Sequence, residues 1–152
     1  MYLKGYREES GYENLIEDSN SIDTILEGDA SIKEYAPRFE TYALLSGDEK
    51  SVGSMIVGIV PSAEKTLSKL PRSLIKGDYL YDNDTNAIDI CSELAERMKV
   101  DVGSQIALVG SSINYYIAAY LFIVKVIFKT GHVDFTCQSN FFNKTYLDHT
   151  TM

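Results

Sequence analysis

The run from Ile113 to Phe128, INYYIAAYLFIVKVIF, narrows the fold more than any other stretch of the chain. A helix that spans a bilayer needs about 20 predominantly apolar residues. This run falls short of that and carries Lys125 within it. Its β-branched and aromatic residues suit a pleated, half-buried surface, so a strand is expected over Tyr120–Phe128. Compact apolar runs at Ser54–Val60, Ile88–Cys91 and Gln105–Val109 read as further strands. Gly58 inside the first of them signals a bulge or a close backbone approach.

Short helices fit between the strands. Ser19 or Ser21 can cap one through Ile22, Ile25 and Leu26, with Gly28 as its stop. Pro61 opens another at its first turn, with Leu67 and Leu70 on one face and Pro71 at its end. Ser92 caps a third, whose Leu94, Ala95 and Met98 share a face. Ala30–Leu45 looks extended and is broken at Pro37. Turns are expected at Ser46–Asp48, Gly77–Asp78, Asp82–Asn86, Gly103 and Thr130–Gly131. A short strand fits Tyr2–Tyr12, and Phe141–Leu147 begins a last strand or helix. The class is α+β, mixing short strands with short helices.

Composition bounds the function. A chain of 152 residues with 45% apolar content can bury one core, or two small lobes sharing one. Fourteen basic against 22 acidic residues leave a net charge of -8. That excludes phosphate-led nucleic-acid binding and charge-led docking on anionic lipid. Residues 1–30 show no basic start followed by an apolar stretch, so no signal peptide is read there. Eleven tyrosines and no tryptophan point to half-buried strand rings with wet tips. Cys91 and Cys137 do not make a disulfide framework. Cys91 lies in an apolar run and Cys137 in a polar one, so two free thiols are expected.

No constellation reads as catalytic, cofactor-binding or metal-binding. Asp82, Asp84, Asn86 and Glu93 fall at positions 1, 3, 5 and 12 of a calcium loop. The position that needs glycine is Ala87, however, and Pro71 and Gly77 interrupt the entering helix, so a solvated turn is expected. His132 and His149 lie at no zinc spacing. No glycine-rich phosphate cradle occurs, so no cofactor is expected and an enzyme is not.

Five segments in order carry a resemblance, the first of them YAPRF at Tyr35–Phe39. Gly58, Ile59, Pro61 and Glu64 form a strand end that opens a helix. Gly77, Tyr79 and Leu80 form a turn. Leu94, Ala95, Val100, Val102 and Gly103 form a helix and its exit. Val124, Ile127, Phe128, Thr130 and Gly131 close a strand. Over residues 30–150 this resembles the extracytoplasmic periplasmic core domain of ABC-transporter permeases, a group that includes lipoprotein-releasing, macrolide-exporting and FtsX-like proteins. The chain departs from that pattern at Val60, where Asp is usual, at Cys91 (Gly), at Ser104 (Asp), and at Val126, where a glycine is customary. Gly58, Pro61, Glu64, Gly77, Leu94, Ala95, Gly103 and Gly131 are then fold-defining positions.

The resemblance implies a partial βαβ-type membrane-proximal lobe over 1–45 and an inserted β-rich lobe over 46–152, with the returning half of the first lobe beyond this chain. It also implies an inner-membrane host whose transmembrane helices flank a domain on the extracytoplasmic side. The partners would be an ABC ATPase subunit that hydrolyses the ATP, and a lipoprotein or hydrophobic small-molecule cargo. A homodimer is compatible with it.

Overall fold

The computed structural model describes residues 19–111, 117–129 and 139–143. The chain divides into two compact units, Met1–Tyr35 and Ala36–Met152. The strand expected in Tyr2–Tyr12, the Thr130–Gly131 turn, His132, Cys137, His149 and the end of the Phe141–Leu147 segment lie outside the described residues.

In the first unit, helix α1 spans Ser19–Gly28. Ile25 is exposed, and Ile22 and Leu26 are partly buried. After the helix, Asp29 closes a turn by accepting hydrogen bonds from the Ser31 amide and hydroxyl at 2.9 and 2.6 Å. Those bonds hold the Asp29 carboxyl below its ordinary range.

The second unit holds strands β1 (Arg38–Ser46), β2 (Ser51–Ile59), β3 (Leu74–Gly77), β4 (Ala87–Cys91), β5 (Gln105–Ser111), β6 (Ile117–Phe128) and β7 (Ser139–Asn143), and helices α2 (Pro61–Leu67) and α3 (Ser92–Met98). β1 runs across residue 45 and pairs with β2 from Arg38↔Ile59 to Ser46↔Ser51. The strand order is β3-β6-β4-β7-β2-β1-β5, and β5 pairs again with β6. That last pairing closes six strands into a ring, with β3 appended to β6.

β6 makes the closure possible by changing partners along its length. Its first half pairs antiparallel with β5, from Ser111↔Ile117 to Gln105↔Ile123. Its second half runs parallel to β4 and antiparallel to β3. β7 pairs parallel with β2 and antiparallel with β4.

Alternation along the strands sorts side chains to two faces. Leu45, Ile56, Ile88, Ile90, Ile106, Leu108, Phe122, Val124 and Phe142, drawn from all six ring strands, meet in one buried cluster. Phe122 and Phe142 meet edge to face at 5.7 Å. Leu94, Ala95 and Met98 of α3 join the same cluster. Lys99, in left-handed backbone at φ 55°, ends α3, and its ammonium binds Glu49 of the β1–β2 turn at 2.7 Å.

A second buried cluster of Val57, Ile59, Leu70, Leu80, Ala87, Cys91 and Phe128 lies on the outside of β2, β4 and the end of β6. Leu70, from the turn after α2, and Leu80 and Tyr79, from the segment Asp78–Asn86, pack onto it. The outer face of β1 and of the first half of β6 is barer, with Tyr42, Leu44, Ile117 and Leu121 exposed.

Three local expectations change. α2 ends at Leu67, and Leu70 belongs to a separate 3-10 turn, Leu70–Arg72. Leu70 is buried and Leu67 exposed, so they share no face. Pro71 is the reason: in a continuing helix its ring would collide with the Leu67 carbonyl four residues back. Ser92 is the first residue of α3 rather than its cap, because β4 runs extended through Cys91 at φ -72°, ψ 147°. Cys91 is disulfide-bonded rather than a free thiol. Its burial reflects packing against Leu70, Leu80 and Phe128 in the second cluster, which an apolar sequence run cannot distinguish from an unbridged core cysteine.

Candidate functional site

The polar groups of the second unit concentrate where Tyr79–Asn86 straps the outer cluster to α2. Arg38 opens β1 opposite Ile59, the last residue of β2, and α2 begins two residues later. Glu64, one turn into α2, is thereby brought to Arg38. The guanidinium donates to both carboxylate oxygens, Nε to Oε1 at 2.6 Å and Nη2 to Oε2 at 2.9 Å. Glu64 is 1% exposed, so this fork-on-fork geometry supplies the hydrogen bonds that its burial demands.

Two bonds tie the strap to the start of α2. The Tyr79 hydroxyl donates to the Pro61 carbonyl at 3.2 Å. Burial, then the nearby Asp89, Glu64 and Asp82 carboxylates, push the Tyr79 phenol up to about 12. The Ser62 amide donates to Asp82 Oδ1 at 2.9 Å. Val60 stands at the N-cap of α2 and has no side chain to cap with. Asp82, 20 residues on from Ser62, therefore supplies the carboxylate that Val60 lacks. Ser104 fills its own place similarly, its hydroxyl accepting the Asp101 amide at 3.0 Å.

The strap's far end rests on Lys125. Asp84 accepts the Tyr81 amide at 2.7 Å and the Lys125 ammonium at 2.5 Å. The same ammonium sits 4.5 Å from the centre of the Tyr81 ring, within reach of a cation–π contact. Lys125 is the extra residue of a bulge: Ile88 pairs with Val124, and Asp89 with Val126. Gly77 makes that bulge possible. Its φ is +88°, and a Cβ there would fall 2.0 Å from the Lys125 carbonyl oxygen.

Asp89 lies beneath, on the outward side of β4 between Ala87 and Cys91. It is 0% exposed, and among the described residues neither carboxylate oxygen has a hydrogen-bond partner. Burial raises its pKa to about 8 against the pull of Lys125, with Asp84 adding to the rise. At neutral pH it holds a proton.

The segment Asp82–Glu93 is a polar turn running into β4. Ala87–Cys91 is a fully buried strand, and the Asp82 and Asp84 carboxylates face Ser62, Tyr81 and Lys125. Among the described residues no three acidic, histidine or cysteine side chains are grouped to hold a metal.

The motif positions fall as follows. Gly58 is buried in β2, Pro61 is buried at the first turn of α2, and Glu64 holds Arg38. Gly77 seats the bulge, Leu94 and Ala95 are core, and Gly103 turns the chain at φ +91°. Gly131 lies outside the described residues. The structure brings Pro61, Glu64 and Gly77 to the strap, together with Arg38, Asp89 and Lys125. The sequence reading did not single out these last three as site residues. The available signal was a lone charge inside each of two apolar strand runs, IDIC and FIVKVIF.

This architecture has solved counterparts. The extracellular domain of the noncanonic ABC-type transporter YknZ from Gram-positive bacteria superposes with a TM-score of 0.67 at 16% identity, over 99% of this chain and 74% of that one. The chain shares its fold with that extracellular domain. A permease-protein domain from Porphyromonas gingivalis aligns with a TM-score of 0.55 at 15% identity, over 81% of this chain and 51% of that one. This chain thus spans about half of that second domain. No protein-family model and no curated protein sequence matches the chain. Among the described residues no helix is long and apolar enough to cross a membrane.

Proposed function

We propose that the chain is the extracytoplasmic domain of an ABC-transporter permease. It binds cargo or a partner outside the membrane and moves as a separate ATPase cycles. The likeness to the YknZ extracellular domain over 99% of the chain carries this reading. The disulfide at Cys91 supports it, since disulfides persist in oxidising, extracytoplasmic compartments. The chemistry agrees as well: the polar groups around Tyr79–Asn86 are spent on holding a strap, and the Asp89 carboxyl beneath it is buried.

Within that class we favour the lipoprotein-releasing branch over a macrolide or peptide exporter, on the Phe128-x-Thr130-Gly131 strand end. The fold-defining positions serve strand ends, turns and core packing. The division into a membrane-proximal lobe and an inserted lobe is part of the same proposal.

The host gene product should carry apolar spans of about 20 residues on both sides of this segment. Purified in detergent, it should bring down an ABC ATPase subunit. Calorimetric titration of this chain with ATP and magnesium should show no heat of binding. Micromolar ATP affinity, or a host protein without spans, would overturn the reading.

A further inference from the structure

Lys125 is bonded to one carboxylate, Asp84, and electrostatically coupled to a second, Asp89. Asp84, on the strap, gives an ion pair at 2.5 Å in a half-buried setting. Asp89, on β4 beneath, has both oxygens buried without a hydrogen-bond partner among the described residues and is electrostatically coupled to the same ammonium. The groups that face Asp89 are Lys125 from β6, and Asp84 and Tyr79 from the strap. Glu64 of α2, Arg38 of β1 and Asp82 stand behind Tyr79, with Arg38 engaged by Glu64. β7 presents Phe141, an apolar partner in register.

A buried carboxylate that loses its proton must gain a counter-charge or leave the interior. Lys125 is the adjacent cation, and its bulge places it one step from Asp89's partner Val126. We propose that Tyr79–Asn86 is a releasable strap whose catch is Lys125, which holds Asp84 and Tyr81 while Asp89 is neutral and abandons them when Asp89 becomes charged.

The exchange balances without a co-reactant. Asp89 gives its proton to water, and the ammonium changes carboxylate partner with its own protons unchanged. Asp84 then loses its cation, and Tyr81 loses the cation over its ring. Release uncovers Leu80 and the outward face of β4, an apolar surface closed in the strapped state. The raised pKa of Asp89 places the exchange just above neutral pH. This inference stands on the second unit alone and does not depend on the transporter reading.

Hydrogen exchange on the full chain tests it. Protection factors for amides 79–86, corrected for intrinsic rates, are compared at pH 6 and pH 9 in wild type and Asp89→Asn. The wild-type strap should lose at least tenfold in protection at pH 9, while β1 and β2 stay protected. In Asp89→Asn the strap should be equally protected at both values. Unchanged wild-type protection, or an equal loss in Asp89→Asn, would overturn the proposal. Asp84→Asn keeps the test decisive if Asp89→Asn does not fold. Its strap should already be loose at pH 6, and a strap as protected as wild type's would also sink the idea.

Discussion

Asp89 makes the fold's stability depend on pH in a direction opposite to the usual carboxylate. Its folded pKa of about 8 lies above the ordinary 3.8, so the folded state binds the extra proton. Stability is then fully present below about pH 4 and is lost as pH rises towards 8. The loss should amount to a few kcal/mol, at 1.36 kcal/mol for each unit of pKa difference. Urea denaturation at pH 5 and pH 7.5 should show this decline in wild type and a flatter profile in Asp89→Asn.

Two neighbouring residues give sharper tests. Gly77→Ala combines left-handed backbone with a Cβ driven into the Lys125 carbonyl, and should cost roughly 3 kcal/mol. Gly103 has nearly the same φ and open space around it, so Gly103→Ala should cost only about 1 kcal/mol. Equal melting temperatures for the two variants would show that the contact at Gly77 is not rigid. Arg38→Met leaves the Glu64 carboxylate buried without its fork. It should destabilise by roughly 2–4 kcal/mol, less than for a wholly buried pair because Arg38 is half exposed. Adding Glu64→Gln should recover part of that loss, and a double-mutant cycle reads the coupling.

At the scale of elements, α3 closes one end of the inner cluster with Leu94, Ala95 and Met98. Leu94→Ala should cost about 2–5 kcal/mol through lost burial and a residual cavity. A variant melting within a degree of wild type would contradict the packing of this helix.

Much of the element list was legible in the chain because its signals are local. Pro61 fixes a helix start, Gly103 marks a turn, and β-branched runs mark β2, β4, β5 and β6. What was not legible depends on pairings far apart in sequence. Nothing near Arg38 announces Glu64, 26 residues on. Nothing at Val60 announces that Asp82 will cap its helix. Asp89 reads as the polar member of a short strand until α2 and the strap are laid over its face. Closure of the ring was equally hidden, because it requires β6 to pair with β5 at one end and with β4 and β3 at the other. The Cys91 bridge escaped for a related reason: local hydropathy ranks burial and says nothing of which sulfurs meet.

At the scale of the molecule, that bridge anchors the end of β4. Mass spectrometry of denatured, unreduced chain treated with a thiol-alkylating reagent should find no modified cysteine. Reduction should then lower stability by about 2–5 kcal/mol and speed exchange in β4. Full alkylation without reductant would show that the bridge is absent in solution.

The ring also bears on how such a body can carry load. A strand bonded on both sides cannot peel away from an edge, and full closure removes edges from the strands it includes. A pull on either end of β6 must slide it against β5, β4 and β3 together, breaking many hydrogen bonds at once rather than one after another. Closure thus stiffens the six ring strands against peeling. Compliance is left to parts outside the ring, the strap over β4 among them.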